Sequence, residues 1–425
     1  MLEQLPIRTR ALLLGAGLLF ASGAMLGLVL PIRAEMEGFP TSLIGLIGSA
    51  FAAGYVAGCL FLPRLVAQVG HIRVFGVMAA LVAITALINV LFVTPIAWIL
   101  VRVATGFAFA GATMIIESWL SESASSETRG RVFARYMIVN LASSVIGQLT
   151  VMLFEPGGFE PFVIVAILGC LALIPTALSS GRAPEPLHEV KLDFRRLIRV
   201  SPIAVMACFG VGLANGAFGT LAPVYASSIG LPLWAVALLV AGAIVGGALM
   251  QIPVGRLSDR MDRRWVVVGV ALVGAALSFG LFALDLRDPA QVILMVMLLG
   301  GAMHTIYPVA VAHANDRAVE GNFVAVSSGL LLIFGAGATL GPAVAAPLMQ
   351  WGQPQWLFLF LMAIYALVAL HAAWRTRVQA PVAEPQPAFV GLEAVQGLTQ
   401  ETLHLDPRVD EFDEGERVNP PPDRR

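Results

Sequence analysis

Three ionisable side chains lie inside long apolar stretches of the sequence: Arg102, Glu117 and His304. A charge inside a membrane is costly, and it usually faces a partner or a water-filled cavity. A carboxyl group that is partly removed from water exchanges its proton closer to neutral pH, and histidine does so near its usual pKa of about 6.5. We therefore interpret Glu117 and His304 as candidate proton sites or solute ligands, and we expect Arg102 to face a cavity.

Polar residues accompany these groups at helical spacing. Arg102, Thr113 and Glu117 fall on one face of a helix. The 15 positions that separate Arg102 from Glu117 put them about 22 Å apart, which is too far for an ion pair. Tyr307 follows His304 by one turn. The predicted substrate-binding or coupling residues are Arg102, Thr113, Glu117, Asn215, His304 and Tyr307.

Each of the ionisable groups also has an ordinary structural interpretation. Arg102 could be an arginine whose charge reaches the nearby membrane surface. Glu117 could be a glutamate at a helix end, paired with a basic residue such as Arg317 in an inner gate. His304 could be a histidine that is packed among apolar neighbours. The sequence leaves these alternatives open.

A second charged cluster occupies residues 255–264, between two apolar stretches, and contains four arginines and two aspartates. We expect a loop at the cytoplasmic membrane surface, in which Gly255 permits a tight turn at a helix end. Asp259 can accept hydrogen bonds from the N-terminus of a neighbouring helix. The segment is therefore predicted to latch one helix bundle to another. The predicted cytoplasmic gate residues are Gly255, Asp259, Arg260, Arg263, Arg129 and Arg131.

Composition indicates a multi-pass membrane protein. The chain has 425 residues, of which 58% are apolar and 12% charged, and its mean hydropathy is +0.84. Soluble domains carry about 25% charged residues. The net charge of −1 gives no reason to expect a nucleic-acid partner. We find no nucleotide-binding motif, and the three cysteines lack metal-ligand spacing, so neither a cofactor, a metal nor an enzyme activity is expected.

The apolar stretches have the length of membrane-spanning helices, which need about 20 residues. The twelve candidate spans are residues 10–32, 41–63, 73–93, 97–120, 131–153, 161–179, 202–226, 233–254, 265–285, 290–312, 323–347 and 355–375. Basic residues recur in the loops on one side, whereas the loops on the other side hold only Arg33 and Arg287. The positive-inside rule then predicts that both termini are cytoplasmic, in a multi-pass protein of the cytoplasmic (inner) membrane.

The spans form two sets of six that repeat each other. A shift of 192 residues aligns Gly27 with Gly219 and Gly54 with Gly246, which indicates a parallel repeat about an axis along the membrane normal. Residues 1–180 and 202–376 are the two predicted six-helix bundles. The more polar residues 181–201 are the predicted cytoplasmic linker. Residues 377–425, rich in Pro, Glu and Asp, are the predicted disordered cytoplasmic tail.

Residues 255–264, with the sequence Gly-Arg-Leu-Ser-Asp-Arg-Met-Asp-Arg-Arg, resemble the loop signature of the major facilitator superfamily of transporters. Residues 30–35, 116–120, 307–308 and 312–317 are similar to segments of the YcaD-type group within it. The resemblance covers residues 10–376. It implies that spans 1, 4, 7 and 10 line a central cavity, and that Arg102 belongs to a motif implicated in proton coupling. The signature usually stands out in the first half, whereas here the intact copy lies in the second.

These observations predict an all-α membrane protein with twelve transmembrane helices in two pseudo-symmetric six-helix bundles. The predicted function is secondary active transport of a small solute by alternating access, coupled to protons. The alternatives are an uncoupled facilitator, a drug or metabolite efflux antiporter, and a lipid-translocating or non-transport membrane protein. The expected partners are a small-molecule substrate, protons and the lipid bilayer, and the expected state is a monomer.

Overall fold

A computed structural model of the protein describes residues 7–123, 126–178, 194–284, 286–317 and 323–378, together with Thr399. These residues are helical almost throughout, and no strand occurs among them. Helices suit an apolar chain in a bilayer because every backbone hydrogen bond is made within the segment. The helices are α1 (Ile7–Met36), α2 (Thr41–Val69), α3 (His71–Leu91), α4 (Pro95–Ser123), α5 (Ser126–Thr150), α6 (Glu160–Leu178), α7 (Phe194–Val200), α8 (Pro202–Ser228), α9 (Leu233–Arg260), α10 (Arg263–Ala283), α11 (Pro289–Asn315), α12 (Phe323–Trp351) and α13 (Trp356–Val378).

Eleven helices within the described ranges are long and apolar enough to cross a membrane, and α6 contributes a shorter apolar helix over Glu160–Pro175. Together they correspond to the twelve predicted spans, and α7 is the additional short helix between the two sets of six. Local sequence explains several boundaries. Ser201 and Asp288 cap α8 and α11, each of which begins with proline, a residue that fits the first helical turn.

The two sets of six helices repeat the same packing. α2 packs on α4 as α9 packs on α11, α3 on α6 as α10 on α13, and α1 on α5 as α8 on α12. The turn glycines repeat as well, since Gly38 and Gly230 have φ angles of 75° and 83°, a conformation that strongly favours glycine. The predicted architecture of two pseudo-symmetric six-helix bundles is therefore confirmed.

Glycines bring the helices of each half into backbone contact. A Cβ atom at Gly54 on α2 would overlap the carbonyl oxygen of Val103 on α4, and a Cβ at Gly106 on α4 would overlap that of Phe51 on α2. The second half repeats the arrangement, where Gly246 on α9 lies against the Met297 carbonyl on α11. Small residues permit such close approach, and the resulting van der Waals contact holds helices together in lipid.

The predicted loop over residues 255–264 is wrong in extent. α9 continues to Arg260 and α10 begins at Arg263, so Met261 and Asp262 alone connect them. Gly255 is buried inside α9 and makes no turn. α9 continues through these charged residues because its last turns extend beyond the apolar segment, where water can solvate their side chains. In the first half the corresponding turn is made by Gly70, which has a φ of 92°.

The halves contact each other near one end, which is the predicted outer end. The Ser42 amide donates a hydrogen bond to Gln350 Oε1 at 2.9 Å, and the Ser228 hydroxyl donates to Glu35 Oε1 at 2.7 Å. Gly45 on α2 also lies against the Pro342 carbonyl on α12. At the other end, α4 and α11 do not form a packed pair within the described ranges. The structure is therefore closed at the end that carries Glu35 and Gln350.

Much of the predicted linker and tail lies outside the described residues. Of residues 181–201, the structure describes α7 and Ser201, whose hydroxyl accepts a hydrogen bond from the Ala204 amide. Of residues 377–425, it describes the last two residues of α13 and Thr399, whose side chain is fully buried.

The glycine contacts predict a selective loss of stability. Gly54→Ala and Gly246→Ala should each destabilise the protein by about 1–3 kcal/mol, because the added methyl group forces two backbones apart. The matched controls are Gly76→Ala and Gly269→Ala, since a Cβ at either position meets nothing within 4 Å. Thermal unfolding in a mild detergent measures the difference. Equal unfolding midpoints for the two pairs of variants would contradict the close packing.

Candidate functional site

Two adjoining cavities lie between the halves. The arginine pocket is lined by Arg102, Tyr55 and Thr220 together with apolar residues of α1, α2 and α12. The histidine pocket is lined by His304, Asn215 and residues of α1, α5, α9 and α12. Both pockets share a set of central residues. These are Gly27, Phe51, Gly216, Gly219, Phe334 and Ala338.

The helices around these pockets agree with the expectation from the family resemblance. Spans 1, 4, 7 and 10 correspond to α1, α4, α8 and α11, and they contribute Gly27, Phe109, Asn215 and His304 to the lining. Helices α2, α5, α9 and α12 contribute as well. The site is therefore built from both halves and lies between them, where a solute would contact each.

Arg102 lies in the wall of the arginine pocket. It follows the first residue of α4 by seven positions, which places it about 10 Å along the helix. Its side chain is 8% exposed, and its guanidinium carbon is 4.3 Å from the centroid of the Phe51 ring. Nε has no hydrogen-bond partner among the described residues. Contact with an aromatic face stabilises a cation only partly, so the guanidinium can still bind another group.

The histidine pocket carries uncharged hydrogen-bonding groups. Asn215 Nδ2 donates to the Met303 carbonyl at 3.4 Å, while Asn215 Oδ1 and His304 Nδ1 have no partner within the described part of the chain. Gln148 and Ser144 on α5 also line this pocket. Both were missed from the sequence, where isolated polar residues in an apolar helix gave no distinguishing signal. These groups can orient a polar part of a solute.

Glu117 lies behind the cavity lining and is fully buried. Tyr136 on α5 donates a hydrogen bond to its Oε1 at 2.6 Å, and the hydroxyl of Thr399 donates to its Oε2. Thr113 precedes Glu117 by one helical turn on α4, on the same face. Tyr55, which lines the arginine pocket, lies with its hydroxyl 3.3 Å from Thr113 Oγ1. Hydroxyl groups therefore extend from the pocket towards the carboxyl group.

The six predicted binding or coupling residues thus separate into two sets. Arg102, Asn215 and His304 line the pockets. Thr113, Glu117 and Tyr307 are buried in the walls around them. Tyr307 packs against Phe334 in a T-shaped arrangement, with 5.3 Å between the ring centroids, so it supports a lining residue.

Two of the predicted gate residues, Asp259 and Arg263, form ion pairs within the second half. Arg263 lies 2.9 Å from Asp316, and both side chains are almost completely buried; Asp259 is 3.9 Å from Arg263. These contacts join α9 and α10 to the end of α11. Of the other predicted gate residues, Arg260 and Arg131 are exposed, and the side chain of Arg129 lies outside the described residues. Asp316 was not assigned from the sequence.

Asp262 caps the start of α10. Its carboxylate accepts hydrogen bonds from the Arg264 amide at 3.0 Å and from Arg264 Nε at 2.9 Å. Partial burial acts to raise the pKa of Asp262, but the hydrogen bonds from Arg264 outweigh it and hold that pKa below its usual value. The turn therefore remains an anionic and cationic cluster at neutral pH. No group of three His, Cys, Asp or Glu residues suited to a metal occurs within the described ranges.

Sequence comparison identifies relatives along nearly the whole chain. Residues 12–247 and 234–408 match the Major Facilitator Superfamily. The chain is similar to the uncharacterized MFS-type transporter YcaD of Salmonella arizonae, with 29% identity over 376 residues, 86% of this chain and 96% of the relative.

Structural comparison identifies the same fold. A mutant form of the nucleoside transporter NupG has a TM-score of 0.73 at 15% identity, covering 87% of this chain and 100% of that one. A bacterial homologue of the human lysosomal transporter Spinster, in an inward-facing and occupied conformation, has a TM-score of 0.70 at 16% identity, covering 86% and 95%. The match to the family sequence, the repeated helix packing and the cavity between the halves lead to one conclusion: this chain is a multi-pass membrane protein and belongs to the Major Facilitator Superfamily.

Proposed function

We propose that the protein is a secondary active transporter that moves a small solute across the cytoplasmic membrane, driven by a proton gradient. The observation that carries this proposal is the cavity shared by the two halves, with polar groups of Arg102, Asn215 and His304 in its lining. A site between two rigid bundles suits alternating access, in which the bundles rock about a bound solute. The state seen here is closed at the predicted outer end, and we assign it to the part of the cycle that excludes the outside.

Glu117 is the proposed proton site. It is a fully buried carboxyl group with hydroxyl partners. Tyr55 of the arginine pocket contacts Thr113, which precedes Glu117 by one turn on α4. A buried ionisable group inside a membrane marks a proton pathway in many pumps and transporters. Tyr136, Tyr55 and Thr113 belong to the same rigid half as Glu117, whereas Thr399 follows the second half in sequence. Movement of the halves would therefore change the Thr399 contact, and with it the proton affinity of Glu117. That coupling is what a proton-driven transporter requires.

We further propose the orientation that the loop charges predict, with both termini in the cytoplasm. The connection at Met261 and Asp262, together with Arg260 and Arg264, would then face the cytoplasm. The connection after α1, near Met36, would face the outside.

Replacing Glu117 tests the coupling. In proteoliposomes, a gradient of one pH unit supplies about 1.4 kcal/mol for each proton that moves down it. If one proton moves with each solute molecule, this free energy sustains about a tenfold difference in solute concentration across the membrane. For a solute that the wild-type protein moves, Glu117→Gln should abolish this accumulation and leave counterflow exchange intact. The matched control is Glu122→Gln on the same helix, where the side chain is exposed. Accumulation that survives in Glu117→Gln, or that a proton ionophore does not abolish in the wild type, would indicate an uncoupled facilitator.

Labelling of single cysteines tests the orientation. Met36 and Met261 are 61% and 48% exposed, and the exposed native thiol is removed by Cys170→Ser. Met36→Cys should react with a membrane-impermeant maleimide in intact cells. Met261→Cys should react only after the cells are permeabilised. Reaction of Met261→Cys in intact cells would reverse the proposed orientation.

A further inference from the structure

Arg102 is the only permanent charge among the described residues that line the two pockets. The described lining contains no aspartate or glutamate, and its other polar groups are amides, hydroxyls, the thiol of Cys59 and the imidazole of His304. Within the described part of the chain Arg102 forms no ion pair, and its Nε has no hydrogen-bond partner. Its nearest favourable contact is the ring of Phe51.

This arrangement leaves a positive charge largely uncompensated. A buried guanidinium is stabilised well only when it is both paired with an anion and hydrogen-bonded. Phe51 supplies part of that stabilisation through its ring face, but it accepts no hydrogen bond in the plane of the guanidinium. The planar fork of N–H donors in arginine matches a carboxylate, sulfonate or phosphate, which can accept two bonds at once.

The remaining lining indicates what accompanies the anionic group. Apolar and aromatic residues of both halves line the arginine pocket together with Arg102. They include Ile47, Phe51, Leu331 and Phe334. The part of a ligand that contacts these surfaces must be apolar, because burial of apolar surface area is what stabilises such a contact. The adjoining histidine pocket then offers Asn215, Gln148 and His304 to a neutral polar group at the far end of a longer ligand.

We infer that the transported solute is an amphipathic organic anion, whose acidic group pairs with Arg102 while its apolar body lies against the ring of Phe51 and the wall of α12. This inference rests on the proposed transport function and names its substrate class. A cationic solute is disfavoured because the described lining holds no carboxylate to receive it and places a guanidinium beside it. A drug-like cation therefore does not fit these pockets.

A charge series of one molecular shape tests the inference. The probes are 4-phenylbutyrate, its neutral amide and 4-phenylbutylamine, each added to the purified full-length protein in a maltoside detergent. Because a ligand that binds only the folded state raises its unfolding temperature, the carboxylate should raise the midpoint and the amide and amine should not. Inorganic phosphate, as a free anion without an apolar body, should have a much smaller effect. Equal effects of the three organic probes, or none from the carboxylate, would contradict the inference.

Variants at Arg102 test whether 4-phenylbutyrate binds in the arginine pocket. Arg102→Gln should weaken 4-phenylbutyrate binding at least tenfold, and Arg102→Lys, which keeps the charge but not the fork, should weaken it less. The matched control is Arg73→Gln, which removes an exposed arginine of α3 and should leave binding unchanged. Carboxylate binding that survives in Arg102→Gln would overturn the assignment.

Stability without any ligand gives an independent readout. If the charge of Arg102 has no anionic partner in the protein without ligand, burying it destabilises the folded state. Arg102→Met should then unfold at the same temperature as the wild type or at a higher one. A fall in the midpoint well beyond that of Arg73→Gln would show that Arg102 is a paired structural residue, and the inference would fail.

The same probes separate this inference from the proposed function. Glu117→Gln should still bind 4-phenylbutyrate while losing uptake driven by a pH gradient. If the wild-type protein binds the carboxylate but transports nothing in proteoliposomes, the anion site is supported and the proposed function is contradicted. Gradient-driven transport of the amide or amine alone would keep transport and overturn the anion assignment.

Discussion

Backbone contact at glycine is the constraint on which the rest of this structure depends. In lipid there is little hydrophobic drive for one apolar helix to join another, so close van der Waals contact must hold the bundle together. Gly54 and Gly106 provide that contact between α2 and α4, and Gly246 provides it between α9 and α11. Each half is thereby a tightly packed unit. The contacts across the boundary that involve Ser42, Gln350 and their neighbours lie towards one end.

This difference in packing explains where the chemistry lies. Polar side chains are excluded from surfaces that face lipid, because they would lose their hydrogen bonds with water. The boundary between the halves can hold water or a solute, and the uncharged polar groups of Asn215, Gln148 and His304 gather there. Arg102 lies at the same boundary. Glu117 lies one layer further out, where Tyr136 from α5 satisfies one of its oxygens.

Much of the fold was predictable because its causes are local. The length of each apolar stretch determined the twelve helices, and glycines such as Gly38 and Gly230 marked equivalent turns in both halves. The extent of α9 was not predictable, because charged residues such as Asp259 suit a solvated helix end as well as a loop. The hydrogen-bond partners of Glu117 could not be predicted from the sequence either, because Tyr136 and Thr399 are 19 and 282 residues away along the chain. Helical spacing identified the polar face of α4, but packing decided that Arg102 lines a pocket while Thr113 contacts Tyr55 on α2.

The central claim is that two rigid halves separate at the end where they now touch. Met36 and Trp351 are exposed positions in opposite halves at that end. Spin labels attached to Met36→Cys and Trp351→Cys allow the distance between them to be measured in proteoliposomes by pulsed electron paramagnetic resonance. A control pair at Leu91→Cys and Phe159→Cys lies within the first half. We expect the first pair to show a second, longer distance as pH or pH gradient is varied, while the control pair keeps one distance. A single unchanged distance for the first pair, or an equal change in the control pair, would contradict the account.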